Sequence, residues 1–135
     1  MMRLNDPAVV AEVTAVFQVY EKALNDNDAG ALSEFFWKSP LSIRFGIEGN
    51  LYGHDAITAF RHARPDIDLR RSLVNTVITT YGTDFATANT EFSKRDTGRR
   101  GRQSQTWMRT EAGWRAVSAH VSFLPAQDRG FMLIP

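Results

Sequence analysis

The sequence predicts an α+β fold, in which helices pack on one face of a curved and mostly antiparallel sheet. Two observations predict it. The first half of the chain carries helical apolar spacing, and the second half carries four strand-like segments joined by short turns. Helices followed by a run of strands are typical of a sheet that is covered on one side. We expect a single domain over residues 1–135, because domains commonly have roughly 100–150 residues.

Three helices are expected ahead of the main strands. Asp6-Pro7 is a typical helix start, and a second, shorter helix follows the capping residue Asp28. A third helix opens at Gly53 and ends before Pro65. The first helix has one apolar face, formed by Val10, Val13, Phe17, Tyr20 and Leu24. The third helix carries a mixed face of Ile57, Phe60, Arg61 and Arg64.

The sheet is expected to contain one short strand and four longer ones. Alternating residues between Leu41 and Ile47 predict the short strand. The basic loop from Lys94 to Arg102 is interpreted as a solvated hairpin tip. We expect the apolar tail, residues 126–135, to dock on this subunit or on a neighbouring one. Segments rich in valine, isoleucine, threonine and aromatic residues predict the longer strands, at 72–81, 84–93, 103–110 and 114–123.

The composition excludes several classes of protein. Sixteen Lys and Arg against fifteen Asp and Glu give a net charge of +1, which is too balanced for a nucleic-acid-binding protein. The absence of cysteine excludes disulfides and thiolate chemistry. No signal peptide or long apolar run is present, so we expect a cytoplasmic protein without membrane contact. His54, His62 and His120 lack metal-ligand spacing, and neither a metal nor an organic cofactor is expected.

Several segments together resemble one protein family. They are Val19–Leu24, Phe36-Trp37, Arg44–Gly46, Gly53–Ile57, Gly101–Trp107 and Trp114–Pro125. These segments are similar to the AtzH-like group, which includes the oxalurate-catabolism protein HpxZ, within the NTF2-like (SnoaL-like) superfamily. The resemblance implies a cone in which the helices and the curved sheet enclose a pocket.

The same resemblance implies an activity. Members of the group take part in the breakdown of cyanuric acid and oxalurate, as cofactor-independent decarboxylating amidohydrolases. The implied substrate is 1,3-dicarboxyurea or a similar small N-carboxylated diacid. Tyr20 and Arg44 match the catalytic tyrosine and arginine of the family.

The residue types at these two positions suit that chemistry. Tyr20 lies on the apolar face of the first helix, where its hydroxyl could donate a proton, although a core tyrosine is equally compatible with the pattern. Arg44 interrupts an apolar strand. On the concave face it would need an anionic partner and could clamp a carboxylate, whereas on the convex face it would be solvated. Gly46 beside it would leave room for a ligand.

Further residues are candidates for binding a small anionic substrate. Either Arg61 or Arg64 could supply a second guanidinium, and a lone histidine in the last strand could equally be a core residue. Gln103 shares a strand face with two of the candidates. The full set of predicted substrate-binding residues is Trp37, Arg64, Gln105, Trp107, His120 and Ser122.

Two alternative functions stay open at this stage. The first is a steroid-isomerase-like or dehydratase enzyme on the same fold, for which Glu91 is the main candidate for an interior carboxylate. The second is a non-catalytic accessory or binding subunit for a partner amidase, since a fold does not determine a function. In each case we expect a homodimer formed through the exposed face of the sheet.

Overall fold

The computed structural model describes residues 1–125 of the chain. The apolar tail predicted at 126–135 lies outside the described residues. Within residues 1–125 the chain forms three helices and a six-stranded sheet, so the predicted α+β class is confirmed. No helix among residues 1–125 is long and apolar enough to cross a membrane.

The helices are α1 (Pro7–Asn25), α2 (Ala29–Glu34) and α3 (His54–Ala63). Both predicted side-chain caps are present. Asp6 accepts a hydrogen bond from the Ala8 amide at 3.0 Å, and Asp28 accepts one from the Ala31 amide at 3.1 Å. Each cap satisfies an amide that has no partner within its helix. Gly53 precedes α3 at a φ of 90°, a conformation that glycine adopts without steric cost.

Among the strands that the structure describes, the order in the sheet is β2-β1-β6-β5-β4-β3, and only β1 and β6 run parallel. Its strand bounds are β1 (Ile43–Phe45), β2 (Asn50–Tyr52), β3 (Arg71–Tyr81), β4 (Phe85–Lys94), β5 (Arg100–Thr110) and β6 (Gly113–Phe123). The strand predicted at 103–110 begins earlier, at Arg100, because the turn before it is tight. The Lys94 amide bonds the Arg99 carbonyl at 2.8 Å and continues the ladder toward the turn.

Two irregularities bend the sheet. The β3–β4 register shifts between Val74 and Val77, where Asn75 has a φ of 55°, and the β5–β6 register shifts between Thr106 and Trp107. An extra residue in one strand locally increases twist and bends that strand. The inner face therefore becomes concave, and the helices cover it.

The core lies between α1 and the inner face of the sheet. The apolar residues of the buried face of α1 are Val9, Val13, Phe17, Tyr20, Ala23 and Leu24. Val9 takes the place predicted for Val10, which is only half-buried. The sheet meets this face mainly with small side chains and two large rings, namely Ala86, Ala88, Ala116, Ala119, Trp107 and Trp114.

Candidate functional site

A cavity of about 180 Å³ opens where β4 and β6 end and β5 begins. The carboxyl-terminal halves of α1 and α3 form its other walls, with Tyr20 and Leu24 from the first and Phe60 and Arg61 from the second. Pockets for drug-sized ligands have volumes of roughly 300–1,000 Å³. This cavity is smaller and suits a small molecule.

The cavity wall carries an excess of positive charge. Glu48, an exposed residue, is the one carboxylate among the described residues that line it. No carboxylate of residues 1–125 lies within ion-pair distance of the guanidinium groups of Arg44, Arg61 or Arg64. Buried cations without counter-charges attract an anion. The basic residues of the lining are Arg44, Arg61, Arg64, Arg71 and Lys94.

Tyr20 and Arg61 form a buried pair at the base of the cavity, with 2% and 3% of their surfaces exposed. Arg61 Nη2 donates a hydrogen bond of 3.2 Å to the Tyr20 hydroxyl oxygen. The Nε and Nη1 groups of Arg61 have no hydrogen-bond partner among the described residues. Buried donors without acceptors cost free energy, so a bound anion would stabilise this arrangement.

Arg44 points to the concave side of the sheet, because its partner residue on β6 is the buried Ala119. Its guanidinium lies 5.2 Å from the centre of the Phe60 ring, and that of Arg64 lies 4.7 Å from the same centre. Arg61 and Arg64, the two candidates for a second guanidinium, therefore both face the cavity. The expectation for Gly46 was wrong: a Cβ there would lie 2.5 Å from Arg44 Nη1, so glycine leaves room for Arg44 itself.

Burial and the arginine residues around the cavity shift the pKa values of Arg44 and Tyr20. Burial, followed by the positive charge of Arg61, lowers the pKa of Arg44 to about 10, so the guanidinium stays protonated at neutral pH. Burial alone would raise the pKa of Tyr20. The charges of Arg61, Arg44 and Arg71 outweigh burial and hold this pKa below its ordinary value. Tyr20 thus releases its proton more readily than an exposed tyrosine.

A second charged group, which the sequence patterns did not reveal, borders the cavity. Arg71, the first residue of β3, donates hydrogen bonds of 2.7 and 2.8 Å to the two carboxylate oxygens of Glu21. The same guanidinium donates to Gln103 Oε1 at 3.1 Å and lies over the Phe92 ring. Glu21 follows Phe17 by four positions, so helical spacing could have placed it on the buried face of α1.

Gln105 and Trp107 lie outside the cavity wall, and Trp107 packs against Tyr20. The rings of Trp107 and Tyr20 meet edge to face with centres 6.0 Å apart, and Trp107 Nε1 donates to Gln105 Oε1 at 3.1 Å. Neither side chain lines the cavity. Trp107 therefore packs against Tyr20 and Gln105 accepts from its indole, in place of the predicted contacts with substrate.

Trp37, His120 and Ser122, three predicted substrate-binding residues, lie outside the cavity. His120 and Ser122 point away from the concave face, where His120 packs against Phe45 and Ser122 accepts a hydrogen bond from Arg102. Their placement in the pocket wall was wrong because alternate residues of a strand face opposite sides, and β6 turns its other set inward. Trp37 borders a separate groove beside α2.

Glu91 also points away from the core. Its carboxylate accepts a hydrogen bond of 2.9 Å from Asn75 and lies 3.8 Å from Arg100 on the outer face. The interpretation of Glu91 as an interior carboxylate was wrong, since its neighbour Phe92 is the buried residue of the alternation. Glu91 therefore cannot serve as a catalytic carboxylate that faces Tyr20.

Solved structures share this fold and, in two cases, much of the sequence. A protein of the DUF3225 family from Pectobacterium atrosepticum is 51% identical with a TM-score of 0.87, covering 90% of this chain and 95% of that one. A cystatin-like fold protein from Burkholderia xenovorans is 44% identical with a TM-score of 0.87, covering 93% and 99%.

A more distant structure matches the fold alone. An NTF2-like superfamily protein from Salmonella enterica is 24% identical, has a TM-score of 0.70, and covers 92% of this chain and 96% of that one. No protein with a curated description matches the chain. The family model described as AtzH-like matches residues 2–127, which is most of the sequence. The chain thus belongs to the AtzH-like family, on an NTF2-like fold.

Proposed function

We propose that the chain is an enzyme that removes carbon dioxide from a small N-carboxylated diacid, with 1,3-dicarboxyurea as the candidate substrate. The observation that carries the proposal is the buried Tyr20 hydroxyl, which is bonded by Arg61 in a small cavity with excess positive charge. Membership of the AtzH-like family supports the same proposal, because the resemblance to that family implies that Tyr20 and Arg44 are its catalytic pair.

The arginine residues suit a substrate with two carboxylates. A guanidinium presents parallel N–H donors whose geometry matches a carboxylate. Arg44 and Arg64, whose guanidinium groups both lie over the Phe60 ring, are placed to bind carboxylate groups, and the donors of Arg61 that have no partner among the described residues supply a further contact. The apolar side chains of the cavity wall strengthen the attraction between guanidinium and carboxylate groups, because opposite charges attract more strongly away from water.

The proposed chemistry needs one proton at the substrate nitrogen. The bond from the carbamate carbon to nitrogen breaks, carbon dioxide leaves, and the electron pair stays on nitrogen, which takes the proton of Tyr20. The tyrosinate left behind is stabilised by Arg61 and Arg44, whose charges lower the pKa of Tyr20. Water then returns a proton to Tyr20, and the hydroxide combines with carbon dioxide as bicarbonate. The organic product is N-carboxyurea.

Carbon dioxide release from freshly generated 1,3-dicarboxyurea tests the proposal. We expect Tyr20→Phe to lower turnover by roughly 100-fold or more, the usual contribution of a general acid, while diacid binding persists. Tyr81→Phe is the matched control, because the Tyr81 hydroxyl bonds Thr87 on the outer face of the sheet. Arg44→Lys should lower turnover as well, since an ammonium lacks the planar fork. Full activity of Tyr20→Phe would reject the role of Tyr20.

The two alternatives are separable by the same assay. A steroid-isomerase-like reaction needs a carboxylate base in the cavity, and the described lining offers only Glu48 at its exposed edge. An accessory subunit would release no carbon dioxide alone and would co-purify with an amidase. Inactive wild-type protein that binds an amidase would therefore replace the enzyme proposal with the accessory one.

A further inference from the structure

Gln103 has an unusual arrangement of its side-chain amide. The residue lies on β5, is 6% exposed and lines the same cavity as Tyr20. Its Oε1 accepts a hydrogen bond of 3.1 Å from Arg71 Nη2. Its Nε2 has no hydrogen-bond partner among the described residues. The oxygen of this amide therefore has a donor, whereas its nitrogen has no acceptor among the described residues.

The orientation of the amide is fixed by Arg71. A guanidinium carries only donors, so the Gln103 atom that faces it must be the oxygen. Arg71 is itself held by the two hydrogen bonds that it donates to Glu21 and by the Phe92 ring, whose centre lies 4.7 Å from its guanidinium carbon. Rotating the amide by half a turn would set its N–H groups against those of Arg71. The nitrogen thus stays the free end.

We propose that Gln103 Nε2 donates to a neutral carbonyl oxygen of the substrate and makes the site prefer diacids that carry a carbonyl between their carboxylates. The inference rests on the proposed function and narrows its substrate class. Arginines already supply charged donors for carboxylates, whereas an amide N–H is neutral and pairs without net charge with a urea-type or ketone oxygen. Such an oxygen would also satisfy a buried donor that otherwise costs free energy.

Gln105 provides the matched control. It lies two positions along β5 on the same face, and its Nε2 is likewise buried, with no hydrogen-bond partner in the described part of the chain. Its Oε1, however, accepts from Trp107, and its side chain does not line the cavity. Replacing Gln105 by leucine removes an equal amide from the same strand without removing a donor from the cavity wall.

Two probes differ only in the carbonyl group. Glutarate and freshly dissolved 3-oxoglutarate are both five-carbon diacids, and the second has a ketone at its central carbon, where dicarboxyurea has its carbonyl. We expect calorimetry to show that wild-type protein binds 3-oxoglutarate roughly five- to tenfold more tightly, the effect of one hydrogen bond. Gln103→Leu should bind both with equal affinity, and Gln105→Leu should keep the preference.

Each outcome decides the inference. A preference that persists in Gln103→Leu, or a wild-type protein that binds both diacids equally, would overturn it and leave the diacid site standing. Binding of neither diacid would reject the proposed function and this inference together. If Gln103→Leu does not fold, Gln103→Glu keeps an acceptor for Arg71 and removes the donor. Its added charge repels both diacids alike, so the affinity ratio again reports the missing N–H.

Discussion

Arg61 Nη2 donates to the hydroxyl oxygen of Tyr20 across 3.2 Å, and both side chains are almost completely buried. Because a guanidinium cannot accept a hydrogen bond, this contact uses a lone pair of Tyr20 and leaves the phenolic proton for another acceptor. The same positive charge favours the tyrosinate. The pair is therefore suited to release a proton into the cavity and to stabilise the anion that remains.

Removal of the Arg61 charge should raise the pKa of Tyr20. The proposed reaction requires protonated Tyr20, so turnover should fall as the pH rises through the pKa of this group. In Arg61→Met the attraction that lowers this pKa is lost, and the fall should move to higher pH while maximal turnover drops. A pH–rate profile measures the shift. Arg102→Met, on the outer face of the sheet, is the control and should leave the profile unchanged.

An ultraviolet titration of tyrosinate provides an independent measurement. The chain has three tyrosines, and subtracting the titration of Tyr20→Phe isolates the one in the cavity. The Tyr20 transition should lie at higher pH in Arg61→Met than in the wild type. Identical transitions would contradict the electrostatic role assigned to Arg61.

Gly46→Ala should impair turnover without unfolding the protein. A Cβ at this position would lie 2.5 Å from Arg44 Nη1, which is the mobile end of a long side chain. The guanidinium can move aside, so the melting temperature should change little, but a displacement of about 1 Å can cost roughly 100-fold in rate. Gly49→Ala is the matched control, because a Cβ there meets nothing within 4 Å. Equal turnover in both variants would show that the position of Arg44 is not critical.

The sequence predicted the fold well because its local patterns agree with one another. Apolar spacing placed Tyr20 on the buried face of α1, and the caps Asp6 and Asp28 marked two helix starts that the structure confirms. Short turns between the strands allowed only an antiparallel meander. These features are set by residues close together in the chain, which is why they could be derived without the structure.

The site was predicted only in part, for two physical reasons. Alternation along β6 defined two sets of side chains but not which set faces inward, and His120 was assigned to the wrong one. The ion pair of Glu21 with Arg71 joins residues 50 positions apart, so no local pattern reveals it. The orientation of Gln103 depends on that pair. Contacts of this kind follow from the packing of α1 on β3.

The outer face of the sheet should form a dimer interface. Val74, Val77 and Phe85 expose about half of their surfaces on this face, and apolar residues gathered on a sheet are typical of subunit contacts. Val77→Glu would place a charge in the contact, and we expect sedimentation velocity to show a shift from dimer to monomer. Val19→Glu is the control, since Val19 is an equally exposed valine on α1. A monomeric wild-type protein would reject the interface.

Neutralising Glu21 should destabilise the protein far more than neutralising a surface carboxylate. The side chains of Arg71 and Glu21 are only 5% and 12% exposed, so Glu21→Gln leaves a buried guanidinium without its counter-charge. The cost expected for such a change is about 3–5 kcal/mol in the free energy of unfolding. Asp26→Asn is the matched control, because the pair of Asp26 with Lys22 lies in solvent and should contribute little.

Urea unfolding of the two variants measures the difference. The double variant Glu21→Met with Arg71→Met should recover much of the lost stability, since two apolar side chains of similar length replace the pair without leaving a charge. The double variant should lack the preference for 3-oxoglutarate, because Gln103 then has no guanidinium to fix its amide. Recovered stability together with a retained preference would show that the ion pair serves the fold alone, and that Gln103 is oriented by something other than Arg71.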